Sequence, residues 1–145
     1  MIRFNRLALF FSLFAAVIAS AQEMQQTPLS PGHPLVGTWR IDLPNGCFEE
    51  YTLRADGTKS SRSGQERNEA IFQISEAPSS LGFYRWVDKI TKGNGQPDCG
   101  GSLTPVGHVS VMFVLLHPSG TRYLLCEEEA MKSCFAEFYL KGRGV

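Results

Sequence analysis

The chain has 145 residues, with 14 Lys and Arg against 14 Asp and Glu and no formal net charge. That length suits one domain, and a neutral chain without a basic cluster argues against nucleic acid as a partner. The longest apolar run, at the N-terminus, falls short of the about 20 residues of a comfortable membrane span.

Residues 1–21 read as a signal peptide. Arg3 and Arg6 form a positive start, residues 7–18 an apolar stretch, and Ala19-Ser20-Ala21 offers small residues for cleavage. The leader looks bacterial, which makes the periplasm the expected location and secretion the alternative. No Cys near the cleavage site is available to receive a lipid.

Residues 22–34 form a Pro-rich arm (TPLSPGHP) expected as coil, because proline fixes φ and removes ladder donors. From residue 35 to 145 the pattern is one β domain. Residues 36–43 alternate with Trp39, Ile41 and Leu43 on one face, and Pro44-Asn45-Gly46 turns the chain. In 47–54, Tyr51 and Leu53 share a face with Cys47. Asp56-Gly57 is a hairpin signal, since both residues tolerate positive φ. The polar stretch 58–68 is expected as an exposed edge strand plus loop. Ala70, Phe72 and Ile74 then alternate inward, followed by an aromatic-rich strand over 82–91 with Tyr84, Trp86 and Ile90 on one face. Residues 92–107 are a Gly- and Pro-rich loop. The most continuously apolar run, HVSVMFVLL at 108–116, is expected to be the central strand, either buried on much of both faces or bridging a barrel wall. Strands over 121–126 and 134–140 close the chain, with room for one helical turn at 128–133. Short strands joined by hairpin-length turns predict an all-β antiparallel meander, an up-and-down barrel or half-barrel.

All four cysteines, Cys47, Cys99, Cys126 and Cys134, lie after the leader, as in a protein of an oxidising compartment. Three connectivities are open to them. If the last two strands pair, Cys126 meets Cys134, with Leu124 opposite Ala136 and Arg122 opposite Phe138. Cys47 is then left for Cys99.

Gly37-Thr38-Trp39 after a Pro-rich arm, followed by Tyr51-Thr52-Leu53-Arg54-Ala55-Asp56-Gly57-Thr58, resembles the opening of bacterial lipocalin-like domains. The resemblance implies that Trp39 plugs the closed end of a barrel. It also implies that a basic residue near the chain end, Arg143 or Lys141, packs over that ring. The family's Thr-Asp-Tyr loop motif is absent.

Chemistry-bearing patterns are sparse. His108 and His117 bracket one strand, roughly 30 Å apart at β-strand rise, and His33 sits in the arm, so no two share a metal. The closest cysteines are seven residues apart between Cys126 and Cys134, unlike the close pairs of zinc sites, and paired cysteines are not nucleophiles. Glu49 and Glu50 face opposite sides of a strand; Glu76, Asp88 and Asp98 read as isolated at strand ends or loops; Glu127-Glu128-Glu129 reads as a solvated face. The expectation is therefore no enzyme, no cofactor and no metal. Trp39, Tyr51, Phe72, Tyr84, Trp86, Phe113 and Phe138 fall on inward faces, where they fill a core or line a cavity for a small apolar or amphipathic ligand. Phe83, Met112 and Tyr139 fall on the other face and mark a partner surface. The expected function is a non-enzymatic exported binding module. The alternative is an envelope protein-interaction module (inhibitor, adhesin accessory or assembly factor) acting through residues 92–107 or the outward aromatics.

Overall fold

A computed structural model describes residues 23–144; the expected signal peptide lies outside the described residues. Eight strands follow in chain order: β1 Gly37–Asp42, β2 Phe48–Leu53, β3 Thr58–Ser63, β4 Glu66–Ile74, β5 Phe83–Gly93, β6 Val109–Leu116, β7 Arg122–Cys126 and β8 Cys134–Gly142, with a 3-10 turn at Met131–Ser133. Each pairs antiparallel with the next, and β8 returns to β1, so the meander closes into a barrel.

Closure depends on a close backbone approach at the start of β1. Thr38 is opposite Gly142 and Trp39 opposite Leu140, and Gly37 has φ +145° with its neighbour so near that a Cβ would sit 2.8 Å from the Gly142 carbonyl oxygen. Only glycine fits there without displacing backbone. Gly37→Ala is expected to cost about 2 kcal/mol, read as a lower urea midpoint with an unchanged m-value. Gly57, the hairpin glycine at φ +85°, meets a similar constraint, its hydrogen side facing the Thr27 carbonyl at a distance no Cβ tolerates.

The last hairpin carries a one-residue correction to the expected register. Cys126 does face Cys134, but the register shifts between Leu125 and Cys126, so that Leu125 faces Ala136 and Tyr123 faces Phe138. The bulge changes the parity of β7. Tyr123 and Leu125 thereby turn inward to 1% and 2% exposure, and Arg122 pairs outside with Glu137 at 3.3 Å. Both expected disulfides are present, Cys47–Cys99 and Cys126–Cys134.

Closure also changes several expectations about faces. The stretch 58–68 is no exposed edge, because β3 pairs with both β2 and β4 and a closed barrel has no edges. Of the two alternatives for the apolar β6, the barrel-wall strand is the one found: it is not buried on both faces, only Val114 is fully buried, and Val109 and Val111 are about half exposed. A single-layer barrel has one interior, and no second layer covers this part of its outside. Phe113 accordingly lies on the outer face with its register partner Arg85, partly buried and outside the core cluster. Of the three residues assigned outward, Tyr139 is exposed, Phe83 is buried, and Met112 faces inward.

One end of the barrel is sealed. Trp39 is fully buried and donates its indole N–H to the Leu35 carbonyl at 2.9 Å. The arm is coil, as expected, but it is docked rather than free: Leu29, His33 and Leu35 are buried, and the Leu29 amide donates to the Ala55 carbonyl at 2.8 Å. Arg143 is the terminal cation over Trp39, 6.0 Å from the ring centroid. Its guanidinium also donates to the carbonyls of Pro34 and Gly120, each at 2.8 Å, tying the arm to the β6–β7 turn.

Candidate functional site

The interior divides along the barrel axis. From the sealed end inward, Trp39, Tyr123, Phe138, Tyr51 and Trp86 form a chain of ring contacts with centroids 4.8, 5.2, 4.8 and 6.1 Å apart. Phe72 adds a T-shaped contact to Trp86. Trp39, Phe72, Trp86 and Phe138 are at most 1% exposed and Tyr84 9%, so these expected inward aromatics pack the sealed half. Tyr51 is partly buried and lies at the boundary.

Beyond Tyr51 the inward positions turn polar. Along β3 they are Lys59, Ser61 and Ser63, and at the start of β4 they are Glu66 and Asn68. Together with Glu49 of β2, Asp88 of β5 and Ser110 of β6 they line a cavity of about 180 Å³ at the open end, whose apolar wall is Ile90 and Met112. Residues 94–107 fold over this mouth. The loop is held by the Cys47–Cys99 bridge, by the Glu66 amide donating to the Pro97 carbonyl at 3.0 Å, and by the Cys99 amide donating to the Ser63 hydroxyl at 3.1 Å.

The charges inside are specific in their partners. Lys59 forms a buried ion pair with Asp88, the two side chains 6% and 3% exposed. The Lys59 ammonium also sits 5.1 Å from the Tyr51 ring centroid and 5.2 Å from that of Trp86, so a carboxylate and two π faces replace its water. Asp88 is thus not isolated at a strand end, as its sequence context suggests; it is mid-strand and inward. Glu49 accepts from the Tyr51 hydroxyl at 2.9 Å and the Ser63 hydroxyl at 3.0 Å. Among the described residues three buried side-chain polar atoms have no partner: Glu66 Oε2, the Trp86 indole N–H and the Tyr123 hydroxyl.

Burial, with the Glu49 carboxylate second, holds the phenols of both Tyr51 and Tyr123 above their ordinary value. A folded-state pKa raised above the unfolded one means that the stabilisation is intact below the unfolded phenol pKa of about 10 and is lost as pH rises toward the folded value. Alkaline titration followed by phenolate absorbance is therefore expected to show these two tyrosines ionising only with cooperative unfolding. In Tyr123→Phe, which removes an unpartnered hydroxyl, stability is expected to rise by about 1 kcal/mol.

Sequence reading missed Lys59, Glu66, Asn68 and Asp88. The available signal was parity: counting back by twos from Ile74, Phe72 and Ala70 reaches Asn68 and Glu66, and counting on from Tyr84 and Trp86 reaches Asp88. The histidines are not brought together. His33 bonds the Ser75 carbonyl in the docked arm at 3.1 Å, His108 lines the mouth, and His117 bonds Ser119 in a turn at 2.8 Å. Among the described residues no group of three or more His, Cys, Asp or Glu side chains is placed to hold a metal ion, and no helix is long and apolar enough to cross a membrane.

What fold and site define is a closed, disulfide-stapled antiparallel barrel, sealed and aromatic at one end, with a charged recess at the other. Comparison with protein-family models, with curated proteins and with solved structures found no match to this chain.

Proposed function

We propose that this protein is an exported, lipocalin-like binding module that holds a small amphipathic ligand in the open end of its barrel and performs no chemistry on it. The observation that carries this reading is the 180 Å³ recess combining an apolar wall with buried polar groups. Its size suits the ligand class: a cavity of about 150 Å³ accommodates a benzene ring. The sealed aromatic half favours a shallow, selective site over a deep pocket for a long lipid. Two disulfides support an oxidising compartment, and with the leader's composition they favour the periplasm over release outside.

Native mass spectrometry of protein isolated gently from its own host envelope tests the proposal, run beside Ser110→Leu, which adds volume on the inner face of β6. A small-molecule adduct on the native chain and none on the variant is the expected result. Bare protein in both cases, or an adduct indifferent to the variant, rejects it.

A second reading, a protein-interaction module, is favoured by the outer face of β8, where Phe135 and Tyr139 are 60% and 51% exposed. Under that reading, replacing both by Ser abolishes partner capture while leaving the recess intact.

A further inference from the structure

Resting on the reading that the open end holds a small ligand, we infer that the ligand carries an organic cation, an ammonium or amidinium on a short apolar body, and that Glu66 receives it. Three carboxylates face this recess from three strands, Glu49, Glu66 and Asp88, against the single ammonium of Lys59. That ammonium is already committed to Asp88 and to the two rings beside it. Glu49 is committed as well, each of its oxygens accepting one hydroxyl. Asp98, at the rim, turns its carboxylate to the amides of Gly100 and Ser102 in its own loop at 2.9 and 2.8 Å. Glu66 is different. The residue is 8% exposed, and its Oε2 is buried with no hydrogen-bond donor among the described residues.

A buried carboxylate oxygen without a partner is costly, and the chemistry of the recess decides what can relieve it. An anionic ligand meets Glu49 and Glu66 with the Lys59 ammonium already neutralised by Asp88. A purely apolar ligand displaces water and leaves Oε2 bare. A cationic donor supplies both the missing hydrogen bond and the missing charge, and charge-assisted bonds of this kind are the strong ones. The carboxylates do not converge on a point as metal ligands do, which favours an extended organic cation over a bare ion. Ile90 and Met112 provide the wall for its apolar body.

Isothermal titration with three probes of one shape separates the possibilities: benzylammonium, benzyl alcohol and benzoate at neutral pH. Benzylammonium is expected to bind at least tenfold more tightly than either of the others. In Glu66→Gln that preference is expected to fall at least tenfold with benzyl alcohol affinity unchanged, whereas Glu50→Gln, on the outer face of β2, leaves it intact. Near-ultraviolet circular dichroism reports whether the isosteric Gln variant keeps its packing, and Glu66→Met, an apolar side chain of similar length, serves as the substitute if it does not. Equal binding of alcohol and ammonium, or tighter binding of benzoate, overturns the cation assignment while sparing the small-ligand reading. No binding of any probe overturns both. An undiminished ammonium preference in Glu66→Gln removes Glu66 from the role.

Discussion

Lys59→Met alone is expected to destabilise the fold by about 3–5 kcal/mol, while Lys59→Met combined with Asp88→Leu recovers most of that loss. The pair is buried to 6% and 3% side-chain exposure, so removing one member strands the other charge away from water, and an uncompensated buried charge is the expensive state. Replacing both members removes the desolvation cost together with the attraction, and such double replacements come out near neutral or stabilising. Urea unfolding of the two single variants and the double variant gives the coupling directly. If the double variant is as unstable as the singles, the pair is not the unit holding β3 to β5 across the interior. The experiment also bears on function, since Lys59 borders the recess: a stable double variant provides a barrel whose mouth polarity is changed without loss of fold.

The second large effect is expected from the Cys47–Cys99 bridge. It joins residues 52 apart, and the loop-closure model assigns a bridge of that span about 4 kcal/mol, against about 2.5 kcal/mol for a span of eight such as Cys126–Cys134. Cys47→Ser with Cys99→Ser is therefore expected to lose the larger share. The difference is also local. Cys99 is the tie between the β1–β2 turn and the loop over the recess, and Ser63 and Glu66 each hold that loop by a single hydrogen bond, to Cys99 and Pro97. Hydrogen exchange in the double Ser variant is expected to rise at Trp39 and its neighbours by the global loss of stability, and by more at the Glu66 and Cys99 amides, where the local tie is lost as well. Uniform loss of protection instead means that the bridge acts through the unfolded chain alone. Equal losses from the two bridges would contradict the loop-length argument.

Much of the architecture is written in local sequence. Alternation of period two marks β1, β2, β4 and β5, Asp56-Gly57 marks a hairpin, and the parity of Cys126 and Cys134 marks their pairing. The sealed end at Gly37 and Trp39, and the cation beside it, Arg143 or Lys141, come only from the resemblance to lipocalin-like domains. The strand, hairpin and pairing features are legible because they depend on residues close in the chain: φ preferences, a two-residue repeat, a turn. The inward aromatics are legible for the same reason, with Phe113 the exception, since it sits in a run where both faces are apolar and alternation carries no information.

The rest was decided by closure. Whether 58–68 is an edge depends on β3 pairing with both β2 and β4, and which of its faces becomes an inner wall depends on β8 returning to β1. The sequence by itself determined the strands and the turns and pointed to the Cys126–Cys134 pair; Cys47–Cys99 followed from it by elimination, and the sealed end came from the family resemblance. Only the tertiary structure decided that Lys59, Glu66, Asn68 and Asp88 point into the barrel, because a polar residue on a strand reads as solvent-facing until a partner strand brings the opposite charge to it. The physical reason is that hydropathy patterning records the average preference of each side chain for water. A buried ion pair and a charged recess go against that average, and only long-range contacts make them affordable.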